Sequence, residues 1–211
     1  MFRVREGLSV PVGGRIYTRV RPILTLALIV VNIMVYVITS YENFFMETSN
    51  YWISMGGFVP SLITIQSQLY RIFSSMFLHA DIFHILFNMY YLYLFGRAVE
   101  WALGKWRFLV LYIISGIAAS IFHTAFSFLG GTTAYVIPAI GASGAISGVL
   151  GAYLILFPGT SLIVGRFFIL FPVFFRIKAA YYLLFWFATQ LIYGYAVAGE
   201  SVAFFAHAGD S

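Results

Sequence analysis

The feature that most limits what this chain can become is a series of apolar runs, each about the length of a bilayer crossing. Ile23 to Ser40, Asp81 to Leu103, Trp106 to Phe128, Pro138 to Phe157 and Ala179 to Ala198 are such runs, and Val202 begins a sixth. A helix needs roughly 20 predominantly apolar residues to span the hydrocarbon core. Read as spanning helices, the runs make an all-α polytopic membrane bundle of six helices the expected fold. Composition agrees: 62% of the 211 residues are hydrophobic and 9% charged, against roughly 25% charged in soluble domains.

The segments between the runs carry the rest of the organisation. Residues 1–21 hold Arg3, Arg5, Arg15, Arg19 and Arg21 and read as a basic cytoplasmic tail, leaving 22–211 as one membrane domain. The first run is too long for a secretory signal core, so no cleaved signal is expected. Residues 41–80 mix aromatic clusters with Glu42, Glu47 and Arg71, and Gly56-Gly57 and Pro60 break any long helix there. Such a stretch suits the headgroup zone. The apolar segment Leu162 to Phe175, interrupted by Arg166 and Pro172, is short for a span and is laid on the cytoplasmic surface.

With the N-terminus inside, 11 of the 12 Lys and Arg fall on the cytoplasmic side, and only Arg71 falls outside. This positive-inside asymmetry accounts for the net charge of +5 without nucleic acid. The absence of Cys excludes disulfides and thiolate metal sites; no metal or cofactor is expected.

The run that begins Pro138-Ala139-Ile140-Gly141-Ala142-Ser143-Gly144 opens with small residues, and Gly144, Gly148 and Gly151 keep one face bare. It can be a packing helix that happens to carry a hydroxyl, or a scaffold for Ser143 as a nucleophile. The topology bears on the choice. His84, Ser143 and His207 each fall on the order of 5–10 Å below the outer ends of their helices, and Asn88 lies one turn below His84 on the same face. Polar groups at that depth are costly and tend to mark function. His207 can take the Ser143 proton as general base. His84 and Asn88 can donate to a developing oxyanion together with a backbone N–H at Ala142 or Ser143. Gly141 and Gly144 would let a substrate carbonyl approach. No carboxylate is placed to orient His207, so the pair would act as a dyad. His123 is expected to be packed or locally bonded.

The chain resembles the rhomboid family of intramembrane serine proteases in Gly141-Ala142-Ser143-Gly144, in His84-Ile85-Leu86-Phe87-Asn88 and in Ala206-His207. Tyr70-Arg71, His79 and Gly96-Arg97-Ala98-Val99-Glu100 are further matches, across roughly residues 22–209. The resemblance implies a Ser143–His207 dyad, an oxyanion site from His84, Asn88 and the Ser143 backbone, and a structural role for Tyr70, Arg71, His79 and Glu100. It also implies that the partners are single-span or multi-span membrane proteins, cut near their outer ends within the lipid bilayer of the cell membrane, with entry beside the fifth span. Tyr70 stands where the family usually has Trp and Asp210 where it usually has Gly. Four residues follow His207, so a short sixth helix is expected. Two competing readings are a non-catalytic relative that binds transmembrane clients, and a small transporter, for which no inverted repeat is visible.

Overall fold

The computed structural model describes residues 10–12, 15–17, 22–129, 135–168, 171–185 and 188. The expected general base His207, most of the expected fifth span and all of the expected sixth lie outside the described residues. In the basic tail, β1 (Val10–Val12) and β2 (Arg15–Tyr17) pair antiparallel. Helix α1 (Ile23–Ser40) follows, and beyond it the segment to residue 80 contains α2 (Asn50–Gly56), α3 (Arg71–Ser74) and short 3₁₀ turns.

The second expected span is one continuous helical run. It passes from α4 (Ile82–Tyr91) through a π turn at Leu92–Gly96 into α5 (Arg97–Leu103). Gly104, at φ +80, makes the sharp break before α6 (Lys105–Leu129). Helix α7 (Ser143–Leu156) comes next, then the antiparallel pair β3 (Ser161–Phe168) and β4 (Phe171–Lys178), and residues 179–185 are helical again. The segment laid on the membrane surface from its composition is thus a β-hairpin.

Among the described residues, Ile23–Asn43 and Lys105–Ser127 are helices long and apolar enough to cross a bilayer, with mean hydropathies of 2.4 and 1.9. Their burial runs inside out. On α1, Val30, Ile33, Met34 and Val37 are exposed, while Thr25, Asn32, Thr39 and Ser40 are buried. In lipid, exposing an apolar side chain carries no penalty, whereas polar groups gain by turning towards protein partners. The core at the centre joins Leu92, Phe95, Val99, Phe108, Tyr112, Ile146 and Val149 from the middle four elements.

Helices α6 and α7 pack antiparallel at the closest range. A Cβ on Gly144 would collide with Ala119, and one on Gly148 with Ser115. The small-residue face read from the sequence is therefore occupied by a neighbouring helix at Gly144 and Gly148, and open at Gly151.

One boundary differs from expectation. The fourth helix begins at Ser143, not at Pro138. Residues before it are held extended: Phe58 and Ala139 exchange both backbone hydrogen bonds, at 2.9 and 2.7 Å, and the Gly141 N–H donates to the Ser75 carbonyl at 2.9 Å. Backbone groups committed to a distant loop cannot also form helical bonds, so the helix waits until the loop releases the chain. Ser143 consequently sits in the first turn, not a full turn or more below the helix end.

Candidate active site

Three local devices bring Ser143 and His84 together. The first is a cap. Asp81 accepts hydrogen bonds from the Phe83 and His84 N–H groups, both at 2.8 Å, and so starts α4 just ahead of His84. An Asp at this position satisfies donors that a helix's first turn leaves open. The second is the extended clamp on residues 139–141, which aims the start of α7. The third is Gly141 itself, at φ +121, a conformation that side-chain-bearing residues rarely adopt.

The geometry converges on Gly141. A Cβ placed there would stand 2.7 Å from Nε2 of His84 and 3.6 Å from Oγ of Ser143. Both polar atoms thus flank the same bare carbon. Nδ1 of His84 accepts from the Ala80 N–H at 3.3 Å. An accepting imidazole nitrogen carries no proton, so in the neutral ring the proton is on Nε2, the nitrogen beside Gly141. His84 presents a donor to the region of Ser143.

Asn88 is buried and gives one amide hydrogen to the His84 carbonyl at 2.8 Å, which leaves its second N–H hydrogen for another acceptor. Ala142 is fully buried, and its N–H is directed at Nε2 of His79 at 3.5 Å. Of the two backbone donors named from the sequence, that one is engaged by His79. Ser143 occupies the first helical position of α7, where an N–H has no intrahelical acceptor. Gly144 turns its bare face to Ala119 on α6, so its small size serves helix packing in this structure.

A cavity of about 180 Å3 lies against Ser143, between α6, α7 and the loop segment that carries Phe58, Ser75 and Met76. Ser120, His123 and Gly141 also line it, and the His123 ring meets Phe58 edge-on at 6.4 Å. The expectation that His123 is a packed residue covers only part of its position. Its link to Ser143 was not readable from sequence, because no spacing rule relates α6 to a helix start twenty residues away.

The supporting residues have specific partners. His79 is fully buried; its Nδ1 donates to the Phe77 carbonyl at 3.3 Å, and Thr48 Oγ1 donates to the His79 carbonyl at 2.6 Å. Burial, and secondarily the neighbouring His84 ring, lower its pKa to about 3, so it is a neutral brace. Arg71 gives Nη1 to the Ser54 and Gly57 carbonyls at 2.7 and 3.0 Å and Nε to Gln68 at 2.6 Å. A cation there satisfies carbonyls at the C-terminal end of α2. Tyr70 donates to the Met55 carbonyl at 2.7 Å, and the Arg71 guanidinium lies 5.5 Å from its ring centre. Glu100, 2% exposed, sits at the opposite end and accepts from the Leu24 and Thr25 N–H groups and from Thr25 Oγ1, at 3.0, 2.8 and 2.7 Å.

Comparison with known proteins adds the lineage. The family model described as the Rhomboid domain matches residues 66–210, more than half of the chain. The chain belongs to the rhomboid family. It is 36% identical over 100 residues to RHOMBOID-like protein 1 of Arabidopsis thaliana, covering 47% of this chain and 24% of that one. It is 32% identical over 143 residues to Rhomboid protease AarA of Providencia stuartii, covering 63% of this chain and 50% of the relative. Inactive RHOMBOID-like protein 8 of Arabidopsis thaliana is 33% identical over 100 residues, covering 47% and 26%. The chain thus spans half or less of each of these relatives' lengths. As a rhomboid it is a member of a membrane-embedded family that includes named proteases.

Proposed function

We propose that the protein is an intramembrane serine endopeptidase that cleaves membrane-spanning helices of other proteins near their outer ends. Ser143 Oγ attacks the scissile carbonyl while His207 takes its proton and returns it to the leaving amine. Water then hydrolyses the acyl-enzyme with His207 again as base. The Nε2–H of His84, the remaining N–H of Asn88 and the Ser143 backbone N–H stabilise the oxyanion. The site opens away from the cytosol in a six-span bundle of the cell membrane, with the basic N-terminus inside.

The observation that carries this reading is the convergence of His84 Nε2 and Ser143 Oγ on the bare carbon of Gly141. A packing serine has no need of a neutral imidazole's N–H edge and a left-handed glycine beside it. The cavity next to Ser143 supports it further, giving a reacting group room. The similarity to an inactive rhomboid-like protein favours a second reading, in which the chain binds transmembrane clients without cutting them.

A fluorophosphonate probe separates the two. The protease reading expects covalent labelling of the purified protein, lost in Ser143→Ala and in His207→Ala. A folded wild-type protein that does not label removes Ser143 as a nucleophile and leaves the client-binding role.

A further inference from the structure

One end of the molecule concentrates exposed positive charge that nothing in catalysis uses. The antiparallel packing defines that end. Gly144 lies against Ala119 and Gly148 against Ser115, so a further eight residues along α7 bring Leu156 level with Arg107 near the start of α6. The β-hairpin leaves from there, and the Ala179 N–H donates to the Thr160 carbonyl at 2.9 Å, closing its foot. Lys178 is paired with Ser161, and Arg176 with Ile163, in the rungs nearest that foot. Arg97, Lys105, Arg107, Arg176 and Lys178 therefore gather around the α5–α6 turn and the hairpin foot, and all but half-buried Arg97 are exposed.

The acids do not balance them. Among the described residues the four carboxylates are Glu42, Glu47, Asp81 and Glu100. The first three belong to the opposite end, where Glu47 is bridged to Asp81 ahead of α4. Glu100 is at the basic end but is buried and committed to the α1 backbone. Among the described residues, none of the five cations has a carboxylate partner. Two of them rest on aromatic rings instead: Arg97 lies 4.6 Å from the Tyr93 ring centre and Lys105 5.6 Å from that of Trp106, which is 67% exposed. Aromatic rings beside basic side chains are the composition of a membrane–water boundary. A two-stranded hairpin is at best marginal in water. In this one the register puts Leu162 with Ile177, Val164 with Phe175, Arg166 with Val173 and Phe168 with Phe171 on one face, so Arg166 is the single charged residue type among apolar ones there.

We propose that the α5–α6 turn and the foot of the β3–β4 hairpin form a docking surface for phospholipids with anionic headgroups. The phosphates lie between Lys105 and Arg107 on one side and Arg176 and Lys178 on the other. The Trp106 ring and the hairpin rest in the same headgroup layer. Charge complementarity selects this occupant, together with continuity with the apolar face of α6, where Val110 and Ile114 are exposed one and two turns further along. The surface is independent of whether Ser143 reacts.

The full chain, reconstituted in phosphatidylcholine bilayers, can be probed with spin-labelled phosphatidylglycerol and spin-labelled phosphatidylcholine by electron spin resonance. The expected result is a preference for phosphatidylglycerol of roughly fivefold, the size of one basic residue's attraction to an anionic surface, declining as salt is raised. The triple variant R107Q/R176Q/K178Q should lose most of it while unfolding at the wild-type temperature. Equal association of the two lipids overturns the proposal. So does a preference that salt leaves unchanged, or one that the folded triple variant keeps. The salt series on the wild type decides the matter even if the variant fails to fold.

Discussion

His84 and Gly141 approach so closely that a single added carbon does not fit between them. That carbon would stand 2.7 Å from Nε2 and 2.9 Å from Cε1 of the imidazole. The contact joins the capped start of α4 to the extended lead into α7, and it fixes where the imidazole edge lies relative to Ser143.

Gly141→Ala follows from this contact. The added methyl meets His84, and φ at +121 is strained for alanine. The expected cost is about 1–3 kcal/mol of stability, together with loss of most fluorophosphonate labelling. Thermal unfolding and a labelling gel measure both. Wild-type behaviour in the two assays would mean that the glycine has no role in aligning the pair.

The glycines of α7 should divide into two kinds. Gly148→Val drives a side chain into Ser115 and should cost about 1–3 kcal/mol by overpacking. Gly151 faces open space, with nothing within 4 Å of where a methyl carbon would stand. Gly151→Ala should therefore be neutral or stabilise by up to about 1 kcal/mol through helix propensity. Unfolding midpoints of the two variants in one detergent give the comparison. Equal effects would contradict the α6–α7 packing.

Glu100→Ala should be among the most damaging changes far from Ser143. It strips three hydrogen bonds from the first turn of α1 and leaves two backbone donors without their acceptor. A loss of about 2–4 kcal/mol is expected. Thr25→Val, which removes only the hydroxyl contact, should cost about 1 kcal/mol. If the two variants melt together, the carboxylate is not what caps α1.

His79 predicts a pH dependence of stability. Its pKa is lowered to about 3 in the fold, against about 6.5 unfolded. As pH falls below about 6.5 the unfolded chain takes up a proton that the folded chain refuses. Its stabilising effect is therefore whole above that value and lost progressively towards pH 3, at up to about 1.4 kcal/mol per unit. Unfolding midpoints measured from about pH 7 to about pH 4 should slope downward, and His79→Gln should flatten the slope. An unchanged slope in the variant would assign the acid sensitivity to other groups.

Much of this molecule was legible because hydropathy is a local property. The extents of α1 and α6, the small-residue face of α7 and the half-polar segment before α4 each follow from residues next to one another in the chain. What misled was also local. Pro138 carries the usual mark of a helix start, yet Ala139 bonds to Phe58 some eighty residues earlier, and the helix is delayed to Ser143. The hairpin at Ser161–Lys178 was hidden for a similar reason: a short apolar run broken by Arg166 and Pro172 has no period that marks it as strand.

By itself, then, the sequence determined that the chain must lie in lipid, which residues are too polar to face it, and which residue types could carry out acyl transfer. Only the tertiary structure decided which of them meet. Ala142 gives its N–H to His79, Glu100 closes the start of α1 from 75 residues away, and His84 turns its N–H edge towards Gly141. Those pairings depend on which distant group reaches a backbone donor or a bare carbon first. That is settled by packing in three dimensions, and no local pattern of hydropathy or propensity encodes it.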